Sequence, residues 1–250
     1  MSTFVRYGDP MAGTDAGLTA PALTGIRRLS ALDTVRARIA LAVELGLLAP
    51  GERLPLNAEI AKALDVGEIT VRRALVSLCE DGVLDRRRGR TGGTLVAALP
   101  ATGRVHEIAA YIGATAEVGE LIDHRLALEC GLVHLTALRR TSSDVVELHD
   151  LVRQMDQAQG WAEFHELDAR FHLAVAQASG LASSARRYGD VLQELYRYYL
   201  PYPIDYLRDS NREHLALVLA VEEQDPVAAV DATCRHVEAL HHTMLTRPPR

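Results

Sequence analysis

Between Leu54 and Val96 two short amphipathic helical patterns flank a glycine break and lead into a basic hairpin, an order that few folds can accommodate. Leu54-Pro55-Leu56-Asn57 precedes a helical run over 58–64, in which Ile60, Ala61 and Leu64 recur at helical spacing. Asp65-Val66-Gly67 breaks that run, and Gly67 is expected to supply the tight turn. A second helix is expected over 68–79. Val71, Ala74, Leu75 and Leu78 fall on one face, while Ile69, Thr70, Arg72 and Arg73 lie on or beside the opposite one. Gly82 ends this helix, Val83-Leu84 starts a strand, and Thr94-Leu95-Val96 returns it after a turn that contains Arg88 and Arg90. Together these elements make a winged helix-turn-helix. A helix with a polar, basic face suits the major groove of duplex DNA, and an Arg/Gly hairpin suits phosphates or the neighbouring minor groove. Ile69, Thr70, Arg72, Arg73, Arg88 and Arg90 are therefore the candidate DNA-contacting residues.

Charge supports that reading once it is divided along the chain. The whole chain is net −6, which alone argues against nucleic acid. Residues 25–98, however, carry twelve Lys/Arg against nine Asp/Glu, or +3, whereas residues 99–250 carry fourteen Arg against twenty-two acids, or −8. Residues 1–24 supply the remaining −1. A basic front on an acidic body is expected of a DNA reader with a separate sensing domain. No apolar run reaches the ~18–20 residues of a membrane span, and no charged-then-apolar leader opens the chain, so a cytoplasmic protein is expected. Cys79, Cys130 and Cys234 are odd in number and widely spaced within apolar helical patterns, which reads as reduced core thiols.

The expected organisation follows. Residues 1–24 lack periodicity and form a disordered tail. The winged domain occupies 25–98, with a first helix over 29–47 whose inner face holds Leu32, Val35, Ile39, Ala42 and Val43. Residues 99–104 contain Pro100 and Gly103 and form a linker. From 105 to 246 nothing alternates with period two, so the second domain is expected to be an all-α bundle for sensing and dimerisation.

That bundle holds a second constellation. Asp168 and His172 stand four residues apart, on one face of a helix. Helices over 211–223 and 227–244 are joined at Gln224-Asp225-Pro226, with Asp225 a good N-cap and Pro226 suited to the first helical position. His214 lies eleven residues before Asp225 and His236 eleven after it, so an antiparallel hairpin brings both to one level, ~16 Å from the turn at ~1.5 Å per residue. Asp168, His172, His214 and His236 thus form a candidate Asp/His3 site for a divalent ion, with zinc the first expectation and nickel or manganese open. With ten His in the chain, chance pairs at helical spacing are expected, and core histidines are the bland alternative. His165, one turn before Asp168, is the rival ligand.

The residues of both regions resemble a known family. Leu54-Pro55, Val66, Thr70-Val71-Arg72, Ala74-Leu75, Gly82 and the hairpin 88–96 are similar to the DNA-binding domain of GntR-family bacterial regulators. The chain departs from that pattern with Gly67-Glu68 in place of a frequent Ser-Arg pair, and with Ala58 in place of another frequent Arg. Glu68 favours the helix through its dipole but would repel a phosphate. Asp168, His172, Glu213-His214 and His236 resemble the metal ligands of the FCD sensor domain in the FadR-like branch. Arg125-Leu126-Ala127-Leu128-Glu129 matches a further phrase of that pattern. Arg125 also falls within an apolar stripe of Val118, Leu121, Ile122, Leu128 and Leu132. A guanidinium aimed into a bundle needs an anion: Glu129 provides one in a purely structural role, whereas the resemblance implies a ligand carboxylate.

The resulting expectation is a DNA-binding transcription regulator and not an enzyme. It is a homodimeric repressor on paired half-sites of operator DNA, controlled by a small organic acid bound near the metal. The pivot is expected in the 99–103 linker. Two rivals remain open. One is a metal-dependent hydrolase fused to a DNA-binding domain, for which no separate general base or nucleophile motif is found. The other is a metal-free sensor.

Overall fold

The computed structural model describes residues 29–89, 92–113 and 115–244, apart from the side chains of Thr115 and Ala116. The tail expected over 1–24 and the candidate DNA contact Arg90 lie outside the described residues. The N-terminal unit begins with α1 (Ala31–Glu44), capped by the Ser30 hydroxyl, which accepts from the Asp33 amide. Then come α2 (Asn57–Ala63), α3 (Glu68–Glu80) and the antiparallel pair β1 (Leu84–Arg87) and β2 (Gly93–Val96), with Leu84 opposite Val96 and Arg87 opposite Gly93. Val35, Ile39, Ile60, Val71, Leu78, Leu84 and Val96 close over one core, so the apolar stripes read from sequence do meet.

The turn between α2 and α3 differs from expectation. Asp65, at φ +50°, takes the left-handed conformation. Gly67 is extended at φ −68° and caps α3 without a side chain. Asp tolerates the left-handed region because its short polar group can be hydrogen-bonded there, and Asp65 accepts from the Gln193 amide at 2.6 Å. Glycine is needed instead in the wing. Gly89 sits at φ +106°, and a Cβ on Gly92 would stand 2.4 Å from the Arg87 carbonyl oxygen.

After a 3-10 turn at Thr102–Arg104 comes α4 (Glu107–Ile112). It packs on α1, and Val105, Ile108 and Tyr111 join the N-terminal core, although this stretch was expected to open the second domain. Their helical spacing gives one apolar face, and α1 offers it a partner. The remainder is helical: α5 (Thr115–Arg139), α6 (Ser142–Gln157), α7 (Trp161–Ala178), α8 (Ala182–Tyr196), α9 (Ile204–Glu222), α10 (Pro226–Glu238) and the short α11 (Leu240–Thr243). The α9–α10 turn has the expected chemistry, since the Asp225 carboxylate accepts from the Val227 and Ala228 amides, each at 3.0 Å. Trp161 and Ala162 of α7 enter the N-terminal core, and Lys62 of α2 pairs with Glu166 of α7 at 2.5 Å. No helix among the described residues is long and apolar enough to cross a membrane. All three cysteines are free, and they are half-buried, not deep in the core.

Candidate metal and effector site, and the DNA-reading face

Four side chains from three helices converge inside the bundle. Asp168 and His172 come from α7, His214 from α9 and His236 from α10. The Asp168 Oδ1 lies 3.4 Å from His214 Nε2 and 3.7 Å from His172 Nε2, and His214 Nε2 lies 3.3 Å from His236 Nε2. The ligand atoms of the three histidines all fall within 4.8 Å of one another. Both spacing arguments therefore find their counterpart: the i,i+4 pair shares a face, and equal offsets from the turn bring His214 and His236 level. His165, the rival, is not in the cluster. Its ring packs against Tyr196 and Tyr199 with centroids 4.7 and 5.3 Å away.

Each imidazole is oriented from behind. The Nδ1 of His172 faces Glu129 Oε1 at 2.9 Å, that of His214 faces Asn211 Oδ1 at 3.1 Å, and that of His236 faces Glu213 Oε2 at 2.7 Å. The Asn211 amide is unambiguous, because its nitrogen donates to the Val152 carbonyl and to Asp156 Oδ1, which leaves its oxygen for His214. With every Nδ1–H given to an oxygen, all three Nε2 atoms present lone pairs towards one region, that of His172 being shared with Arg125 Nη2 at 3.0 Å. Tyr196 donates to Asp168 Oδ2 at 2.7 Å and leaves Oδ1 directed inward. Converging lone pairs beside a carboxylate repel one another unless a cation stands between them, so this donor set fits a divalent metal ion.

Ionisation agrees with that fit. Burial, reinforced by His236, holds His214 well below the ordinary histidine range; burial and Arg125 lower His172. Burial alone would raise the Asp168 carboxyl, but His172, His214 and the Tyr196 hydroxyl outweigh it and hold it below the usual range. Neutral imidazoles and an ionised carboxylate are the forms a metal needs.

Arg125, fully buried on α5, borders this cluster. Its Nε donates to Glu129 Oε2 at 2.7 Å, its Nη1 to the Tyr199 hydroxyl at 2.8 Å, and its Nη2 to His172 Nε2 at 3.0 Å. The Glu129 pairing foreseen as the structural role is thus present, and the same side chain reaches the cluster. Sequence reading missed Tyr196, Tyr199 and Asn211. Asn211 stands one turn from His214 and was recoverable from that spacing; the tyrosines arrive by tertiary packing alone.

His165 supplies a pH prediction. Burial and the nearby Arg38 push it down to about 4, and its Nε2 has no hydrogen-bond partner. A histidine with a depressed folded pKa contributes stability above its unfolded pKa of ~6.5. That contribution is lost as pH falls from there towards about 4. Between pH 7 and 5 the thermal midpoint is expected to fall by the equivalent of about 1–2 kcal/mol more in wild type than in His165→Phe. Parallel midpoint curves for the two proteins would refute this.

On the N-terminal unit, Ile69 is 71% exposed, and Arg72, Arg73 and Arg88 are exposed with it; Thr70 is partly covered. Arg86 and Arg87 add two further exposed charges to the wing. Among the described candidates, all sit on the side of α3 and the wing that faces away from the core.

A winged helix-turn-helix with a basic outer face, joined to a helical bundle with a buried His/carboxylate cluster, defines a DNA-binding regulator with a separate helical domain. The chain matches "Bacterial regulatory proteins, gntR family" over residues 31–96 and "FCD domain" over 120–239. It is 32% identical over 214 residues to RmpR of Mycobacterium gastri, described as an HTH-type transcriptional regulator, covering 82% of this chain and 77% of RmpR. It is 28% identical over 231 residues to the L-lactate dehydrogenase operon regulatory protein of Escherichia coli (strain K12), covering 87% of each. Among solved structures, Streptococcus agalactiae GntR is similar at 27% identity and a TM-score of 0.44, covering 86% of this chain and 100% of that one. The chain belongs to the GntR family of transcriptional regulators, in the branch that carries an FCD domain.

Proposed function

We propose that this regulator is a metal-containing homodimer whose hold on operator DNA is set by a small carboxylic acid, bound between Arg125 and a divalent ion held by Asp168, His172, His214 and His236. The convergence of three imidazole Nε2 atoms and one carboxylate oxygen beside a buried guanidinium carries this reading. Charge bookkeeping supports it. The buried ionised groups at the cluster itself are Asp168, Glu129 and Arg125, a sum of −1; Arg38, buried as well, stands on α1 and donates to the Tyr199 carbonyl instead. A divalent ion turns that into +1, and one carboxylate brings it to zero, which a low-dielectric interior favours. The Arg125 Nη2 now occupies the His172 lone pair that a metal would use. Once that lone pair is engaged by metal, Nη2 is free for a carboxylate oxygen. An acid with a 2-hydroxyl group would offer the ion a second oxygen, and a relative named for an L-lactate dehydrogenase operon makes L-lactate the first acid to test.

The test is a thermal-shift screen of small carboxylic acids with and without chelator, followed by operator release. Metal-dependent stabilisation by an acid is expected; acid binding that ignores chelator would favour the metal-free sensor. On the DNA side, Ile69 suits a thymine methyl, Arg72 a base edge, and Arg88 the backbone. Arg72→Ala is expected to weaken operator binding by about 1–3 kcal/mol. Unchanged gel-shift affinity in the Arg72→Ala/Arg88→Ala double variant would exclude this docking.

A further inference from the structure

Two of the chain's three cysteines, more than a hundred residues apart in sequence, meet across a helix interface. Cys130 on α5 and Cys234 on α10 place their sulfurs 3.2 Å apart, and both are half-buried, within reach of small solutes. We propose that this pair is an oxidative modification site, closing to an intramolecular disulfide when the protein meets a peroxide. The sulfurs must approach to about 2 Å, a movement that side-chain rotation within two packed helices can supply.

The chemistry balances with peroxide as the oxidant. The Cys234 sulfur attacks the peroxide O–O bond, becoming a sulfenic acid and releasing one water or alcohol. Cys130 then attacks that sulfur, the S–S bond forms, and the sulfenic oxygen leaves as water with the Cys130 proton. Two thiols lose two electrons in all, and the peroxide gains them. Burial and the neighbouring Cys234 push the Cys130 thiol up to about 12, which suits Cys130 to the resolving step and not to the first attack on peroxide.

The position gives the bond a consequence. Cys130 follows Glu129, which holds both Arg125 and His172, and Cys234 lies two residues before His236. A bond from α5 to α10 therefore ties together two walls of the cluster. On the acid-response reading above, on which this part rests, it would restrain the helix shift that an acid must cause. Oxidised protein is then expected to hold operator at acid concentrations that release the reduced form.

The experiment uses the full-length protein, reduced or treated with hydrogen peroxide and then freed of it. Denatured reduced protein should give three free thiols and treated protein one, with a mass lower by two hydrogen atoms and full reversal by dithiothreitol. Tryptic mapping should link peptide 126–139 to peptide 213–235. Cys130→Ser should give no linked peptide, because the sulfenic acid formed on its Cys234 has no neighbouring thiol to resolve it and is trapped by dimedone. Three thiols after treatment, sulfinic adducts at separate cysteines, a disulfide-linked dimer or a bond to Cys79 would each overturn the site. Because the peptide map is read on wild type, the outcome does not depend on the variant folding. In the operator assay, at least a tenfold higher acid requirement after oxidation is expected, and an equal requirement would overturn the restraint. A reduced protein that ignores every acid counts against the proposed function alone, since the linked peptide decides the disulfide independently.

Discussion

Replacing His214 with alanine is expected to strip the divalent metal proposed for the Asp168, His172, His214 and His236 cluster. The apparent free energy of a structural zinc site is about 10–16 kcal/mol over four ligands, so losing one ligand costs roughly 100- to 1000-fold in affinity. His214 should sit at the severe end, because it is 1% exposed and touches both His236 and Asp168. Asn211→Ala provides the graded comparison. It leaves all four ligands in place but removes the oxygen that receives the His214 Nδ1–H, and a lost outer partner costs about 10- to 100-fold. Metal content by elemental analysis, with chelator competition for affinity, would measure both. His165→Ala should leave the content unchanged, since its ring lies against Tyr196 and Tyr199 and not at the cluster. Wild-type protein that never met chelator and still holds no metal would remove the metal half of the proposal.

How far the sequence reached can be seen at particular residues. The α9–α10 hairpin was legible because Asp225 and Pro226 are unambiguous punctuation, and once the turn is placed the level of His214 and His236 follows from helical rise. The Asp168/His172 pair was legible for the same local reason. The α2–α3 turn was misassigned because glycine is the commonest left-handed residue, while here Gln193 of α8 stabilises Asp65 in that role. That cause is tertiary, and no local pattern carries it. The same holds for Tyr196 and Tyr199, and for Cys130 and Cys234, which read as scattered core thiols until α5 and α10 are brought together. Periodicity states which face of a helix is apolar and not which helix it will meet.

Arg125 is where the two halves of the molecule come closest in chemistry, so its substitution is expected to uncouple them. The Arg125 Nη1 donates to the Tyr199 hydroxyl, and the Tyr199 backbone carbonyl accepts from Arg38 Nε of α1 at 2.7 Å. Two residues before that grip, Tyr111 of α4 donates to the Arg197 carbonyl at 3.0 Å. The segment just after α8 is thus held on one side by the sensor cluster and on the other by helices packed into the DNA-binding unit. An acid that draws Arg125 from Tyr199 would loosen one side only, which supplements the expected pivot at 99–103. Such a ligand acts on DNA only through a difference in affinity between two arrangements, and the coupling must run both ways. Arg125→Ala would also leave Glu129 buried without its cation, at about 3–5 kcal/mol, so Arg125→Lys is the better probe. It keeps a charge for Glu129 and loses the planar fork that reaches Glu129, Tyr199 and His172 together. With Arg125→Lys, acid potency in operator release is expected to fall at least ~100-fold, the equivalent of about 3 kcal/mol. Metal content and acid-free DNA affinity should stay near wild type. Release at the wild-type acid concentration would place the acid site elsewhere, and an equal loss of DNA affinity without acid would make Arg125 a structural residue alone.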